Sequence, residues 1–106
     1  MILIVVKFPV KPEHAESFPA KVAAFTEATR AEPGNLWFEW SHSLDDPNLY
    51  VLVEAFTDDG AEPHVNSDHF RQMTSEFPQY LTATPDIISR QVDGEGWDKM
   101  GEITVD

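Results

Sequence analysis

The order of apolar runs and chain breakers predicts an α+β fold with the element sequence β-α-β-β-α-β, an antiparallel sheet with its helices on one face. Three observations carry this expectation. Short β-branched and aromatic runs stand at residues 2–8, 35–44, 49–56 and 87–92. Two stretches between them repeat apolar residues at intervals of three and four, the period of one helical face. The chain has 106 residues, enough for one core and too few for two.

Residues 2–8 are apolar on both faces apart from Lys7, as in a central strand, and Pro9 and Pro12 end the run. From Glu13 to Ala31 the composition turns to Ala, Glu, Lys and Thr, with Phe18, Val22 and Phe25 on one helical face. Pro19 has no amide hydrogen, so this helix either starts near Ser17 or is kinked there, and Glu32-Pro33-Gly34 stops it. Two apolar runs joined by Asp45-Asp46-Pro47-Asn48 read as a hairpin. Asp58 or Asp59 is positioned to cap a short helix leading to His64, and Ser67 to cap a second one carrying Phe70, Met73, Phe77 and Leu81, which Pro78 should bend. Ile87 to Val92 closes the set, giving the split-βαβ or ferredoxin-like arrangement over residues 1–92. Residues 93–106 form a C-terminal arm with Trp97, Met100, Ile103 and Val105. Helices cover only one sheet face, so the apolar strands predict a homodimer, with the arm reaching the partner subunit.

Seven Lys and Arg against nineteen Asp and Glu give a net charge of −12, which repels phosphate backbones and anionic lipid, so neither nucleic acid nor a membrane is expected as partner. Met1 to Val6 is apolar but has no basic segment before it and no small-residue cleavage site after it, and no run approaches a membrane span, which predicts a soluble, cytoplasmic protein. With no cysteine, thiolate chemistry and iron–sulfur clusters are excluded. The five glycines build no phosphate loop, so no nucleotide cofactor is expected. His64 and His69 are five apart, about 140° around a regular helix, and so do not face one metal there; Glu62 and Asp68 lie nearby, but no metal site is expected.

His64 falls between two helices, where a side chain can point beneath them onto the sheet. An imidazole there serves either as a general base near neutral pH or as a helix-entry hydrogen-bonder satisfied by a backbone carbonyl. His69 reads as a first-turn residue or a pocket residue. The aromatics Trp37, Phe38, Trp40, Phe56, Phe70 and Phe77 are core candidates first, and the set facing the helices would suit an apolar small-molecule cleft.

Glu32-Pro33-Gly34-Asn35-Leu36, the hairpin Asp45-Asp46-Pro47 with Tyr50-Val51-Leu52-Val53-Glu54-Ala55-Phe56, and His64-Val65-Asn66-Ser67-Asp68-His69-Phe70 together resemble the antibiotic biosynthesis monooxygenase family, in its stand-alone quinol monooxygenase branch. The resemblance spans about residues 1–92. It implies a dimeric α+β barrel that oxygenates a phenolic, quinol or polyketide-type aromatic with O₂ and no cofactor, with His64 as the catalytic base and Phe38, Trp40, Phe56, His69 and Phe70 as substrate-binding residues. Haem-degrading relatives carry an Asn on the first strand and a His on the second helix. Here Val5, Val6 and Lys7 and then Met73 and Thr74 stand at those places, so haem degradation is not implied. The other readings of the same scaffold are a non-catalytic small-molecule-binding domain and an isomerase or lyase using the same base without oxygen.

Overall fold

A computed structural model describes all residues, 1–106. Strands β1 (Ile2–Pro9), β2 (Asn35–His42), β3 (Leu49–Phe56) and β4 (Asp86–Gln91) form one sheet in the order β2-β3-β1-β4. Every neighbouring pair is antiparallel, with Val5 opposite Val53 on one side and Ile88 on the other. The element order is the ferredoxin-like one expected from the sequence. β1 is central because both its neighbours pair along its length, which is why its residues are apolar toward both faces.

The helical segments lie on one face. Residues 12–30 form three short helices where a single one, starting near Ser17 or kinked there, is expected: α1 (Pro12–Ala15), α2 (Phe18–Lys21) and α3 (Ala23–Arg30). Prolines occupy the first turns of α1 and α2, where a missing amide hydrogen breaks no bond, and each forces a new start. The periodicity survives, since Phe18, Val22 and Phe25 are all buried. After β3 come α4 (Ala61–Val65) and α5 (Asp68–Glu76), followed by a 3₁₀ turn at Phe77–Tyr80 where Pro78 ends the regular helix. Ser67 caps α5, its hydroxyl accepting from the Phe70 amide at 3.2 Å. Neither Asp58 nor Asp59 caps α4. Gly60 holds that position, Asp59 accepts from the Thr57 hydroxyl, and Asp58 pairs with the Met1 amino group.

The core lies between sheet and helices, with Val6, Phe8, Phe18, Phe25, Phe38, Leu52 and Phe77 interlocked. Alternation sends Leu3 and Val5 of β1 and Val51 and Val53 of β3 to the opposite face, where they are only half-buried and Ile88 is exposed. Residues 93–106 contain no helix or strand, and Trp97 rests on Trp37 of its own chain with ring centroids 5.2 Å apart.

One contact fixes where the helices sit. The loop after α3 and the start of α4 touch backbone to backbone at Gly34 and Gly60. A Cβ on Gly34 would lie 2.6 Å from the Gly60 Cα, and one on Gly60 would lie 2.8 Å from the Gly34 carbonyl oxygen. Only glycine fits on either side. Gly34→Ala should therefore destabilise the protein by about 1–3 kcal/mol in urea denaturation, the usual range for forced overpacking. Gly101→Ala, whose Cβ meets nothing within 4 Å, should stay within about 0.5 kcal/mol of wild type.

Candidate active site

Beneath α4 and α5 lies an apolar cavity of about 640 Å³, a size suited to a small organic molecule. Its floor is Ile4, Val6 and Phe8 of β1, Leu52 and Glu54 of β3, and Ile87 and Ser89 of β4; its roof is His64, Phe70, Met73 and Phe77, with the 82–85 loop at one rim. No Lys or Arg lines it, and Glu54 and His64 are its ionisable groups.

His64 arrives there because α4 lasts only five residues. The chain breaks at Asn66 and Ser67, where the Ser67 hydroxyl donates to the His64 carbonyl at 2.6 Å while capping α5. His64 is left at the last turn of α4 with its ring beneath the helices and only 3% of the residue exposed. Three aromatic rings hold the imidazole: Phe56 at 4.7 Å between centroids, Phe70 at 5.1 Å edge-on and Phe25 at 5.9 Å.

Both imidazole nitrogens face a carboxylate. Nδ1 lies 2.8 Å from Glu32 Oε2, and Nε2 lies 3.8 Å from Glu54 Oε1. The same Glu32 oxygen is 2.5 Å from His69 Nε2. His64 and His69 thus converge on one carboxylate, although five residues along one helix would turn them apart; the break between α4 and α5 supplies the rotation that a continuous helix lacks. With Glu32 as acceptor, each ring carries a hydrogen on the nitrogen facing it. In the neutral imidazole that leaves His64 Nε2 with its lone pair toward Glu54 and the cavity.

Glu54 is 4% exposed, and burial, with the negative Glu32 as a second cause, pushes its carboxyl up to about 8. At neutral pH it is a carboxylic acid, able to donate a hydrogen bond into the cavity. One oxygen of Glu32, Oε1, is buried without any partner.

The other residues expected at the site separate. Phe70 lines the cavity. Phe56 lies under His64 and outside the lining, and His69 reaches Glu32 from the outer side, its side chain 24% exposed. Phe38 is in the core against Phe25, and Trp40 packs on Phe8 and Phe18 with its indole N–H donating to the Thr26 hydroxyl at 2.8 Å, beside a different, shallower cleft. Glu32 and Glu54 escaped the sequence reading. Glu32 looked like a helix stop. Glu54 had a usable signal, since alternation puts it on the same face as Leu52 and Phe56.

Fold and site together define a ferredoxin-like α+β protein with one buried histidine at an apolar small-molecule cavity. The model of the antibiotic biosynthesis monooxygenase family matches residues 1–75, and the chain belongs to that family. It is 26% identical over 93 residues to a Bacillus subtilis (strain 168) protein named "Putative monooxygenase YcnE", across 87% of this chain and 98% of that one. Among solved structures, a "Putative antibiotic biosynthesis monooxygenase" from Nitrosomonas europaea is 26% identical with a TM-score of 0.78, covering 87% of this chain and 98% of its own. A conserved protein from Methanosarcina mazei Go1 is likewise 26% identical, with a TM-score of 0.80 over 87% and 92%. No helix is long and apolar enough to cross a membrane.

Burying a protonated Glu54 has a measurable consequence. Between about pH 4.5 and 8 the unfolded chain has lost this proton while the folded one keeps it, so stability falls as pH rises through that window. Glu54→Gln removes this contribution. In urea denaturation the variant should gain on wild type by up to about 1.4 kcal/mol per pH unit across the window; a difference independent of pH would show that Glu54 titrates normally.

Proposed function

We propose that the protein is a cofactor-independent monooxygenase of electron-rich aromatic small molecules, a phenol, quinol or polyketide-type aromatic, with His64 as base and Glu54 as a hydrogen-bond donor beside it. The observation that carries this reading is the His64 imidazole at the cavity wall, held at Nδ1 by Glu32 so that Nε2 is free to accept a proton. Membership of the monooxygenase family supports the reaction class. A lining without Lys or Arg, and with Glu54 as its one carboxyl group, favours a neutral substrate over a carboxylate or phosphate.

The substrate supplies all the electrons. Nε2 takes a proton from a ring methylene, or from the keto-tautomer methylene of a quinol, and the conjugated anion is stabilised by the new imidazolium and the Glu54 hydroxyl. The anion passes one electron to O₂, the two radicals combine through a C–O bond, and the His64 proton completes a hydroperoxide. His64 Nε2, neutral again, removes the remaining C–H proton as the C=O bond forms and the O–O bond breaks, and that proton joins the departing hydroxide as water. The sum is R₂CH₂ + O₂ → R₂C=O + H₂O, four electrons leaving carbon and four entering oxygen. Phe25 and Phe70, which line the cavity, present apolar surface rather than water to the anion.

With a panel of anthrones and hydroquinones, purified protein should consume one O₂ per product formed. His64→Ala should lower kcat/KM by about 10²–10⁴, the range for losing a positioned base. No oxygen uptake above background overturns the reading; turnover under argon would place the chain with isomerases instead.

The proposal includes a cytoplasmic homodimer formed through the sheet face that bears Leu3, Val5, Val51, Val53 and Ile88, with the 93–106 arm contributing to the interface. The half-buried aliphatics on that face support it. Sedimentation at micromolar concentration should show two 12.0 kDa chains associated, and truncation before Gly94 should weaken the association. A folded monomer would remove the dimer, and an unchanged dissociation constant the role of the arm.

A further inference from the structure

We propose that Glu32, His64 and His69 form a binding site for one divalent first-row transition metal ion, two imidazoles and a carboxylate, on the side of His64 that faces away from the cavity. This goes beyond the oxygenase reading and does not depend on it.

Several observations meet here. The ligand atoms of the three residues all lie within 4.8 Å of one another. Bonds of about 2.0–2.2 Å at tetrahedral angles put ligand atoms roughly 3.3–3.5 Å apart, so the present 2.5 and 2.8 Å contacts need open by less than about 1 Å, within reach of a Glu32 side-chain rotation. Glu32 Oε1 is buried without a partner, an orphaned acceptor that a cation bound by both carboxylate oxygens would satisfy. His64 has a carboxyl group, Glu54, opposite its second nitrogen at 3.8 Å, where metal-binding histidines usually find the acceptor for their remaining N–H. Entry is available, because His69 is the most exposed member of the set. The net charge of −12 favours a cation.

The proton balance is simple. In the metal-free protein each ring donates a hydrogen to Glu32. On binding, that hydrogen moves to the other nitrogen of the same ring, so both histidines stay neutral, their first nitrogens coordinate, and Nε2 of His64 becomes an N–H. Such a ring cannot accept a substrate proton. Metal occupancy and base catalysis at His64 are therefore mutually exclusive, and a bound ion inhibits.

Titration of the full chain with Zn²⁺, followed calorimetrically, should saturate at one ion per chain, and Co²⁺ should give the visible absorption of a low-coordinate nitrogen–oxygen site. Glu32→Gln and His69→Ala should each weaken binding about tenfold or more, while His42→Ala, at an exposed histidine, should leave it unchanged. Ring ¹⁵N resonances of the unsubstituted protein give a second readout that needs no variant: on Zn²⁺ addition, Nδ1 of His64 and Nε2 of His69 should shift. Unsaturable or substoichiometric uptake, affinity unchanged in both variants, or shifts confined to His14 and His42 would overturn the proposal. If Zn²⁺ binds but no substrate ever consumes oxygen, the oxygenase reading fails and the metal site stands; oxygen consumption without Zn²⁺ binding removes the metal site and leaves the oxygenase.

Discussion

The Glu32 carboxylate is the constraint on which the rest of the site depends. It is 14% exposed in its side chain, and its hydrogen-bond partners are two imidazoles rather than a Lys or Arg. A carboxylate this deeply placed must have donors, because leaving it unpaired would cost several kcal/mol. The chain provides them from 32 and 37 residues further on, and so ties the end of the first helical region to α4 and α5. The glycine contact between residues 34 and 60 makes the approach possible by bringing the two backbones closer than any side chain allows. Pro33, next to Glu32, stiffens the loop.

That one carboxylate also sets the state of its neighbours. It assigns the His64 hydrogen to Nδ1, so the cavity sees a lone pair. Its charge adds to burial in raising Glu54, so the cavity sees an acid on the other side of the same lone pair. The surrounding phenylalanines keep the dielectric low, which strengthens each of these interactions and makes each more costly to break.

Periodicity made the elements legible because it reports local facts. The strands, the α5 cap at Ser67 and the bend at Pro78 each depend on a few adjacent residues. What failed were distances. Strand alternation groups Phe38 with Trp40 on one face of β2, but it says neither which face the helices cover nor anything of position across the sheet. β2 is the edge strand farthest from β4, whereas the cavity lies over β1, β3 and β4. Both aromatics therefore pack in and against the core away from this cavity. The convergence of His64 and His69 was hidden for a related reason: spacing along one helix is a rule for unbroken helices, and a two-residue break at 66–67 redirects the second histidine. Glu32 had no local signal, since its partners exist only in the folded chain.

Two carboxyl groups flanking one imidazole pose an electrostatic problem, and its resolution orders the site. If both were ionised, two negative charges would face one neutral ring in an apolar surrounding, with no Lys or Arg in the cavity to offset them. The fold keeps the charge on Glu32, where two N–H groups meet it, and the proton on Glu54, where none does. Polarity along the line Glu32, His64, Glu54 is thereby fixed: anion, donor ring, lone pair, neutral acid. An anion formed in the cavity would lie between a newly made imidazolium and a carboxylic O–H, both of which stabilise it. An anion arriving ready-made would instead meet a lone pair and a buried acid. On the proposed reading, the asymmetry between the two glutamates suits molecules that enter neutral and become charged only after transferring a proton to His64.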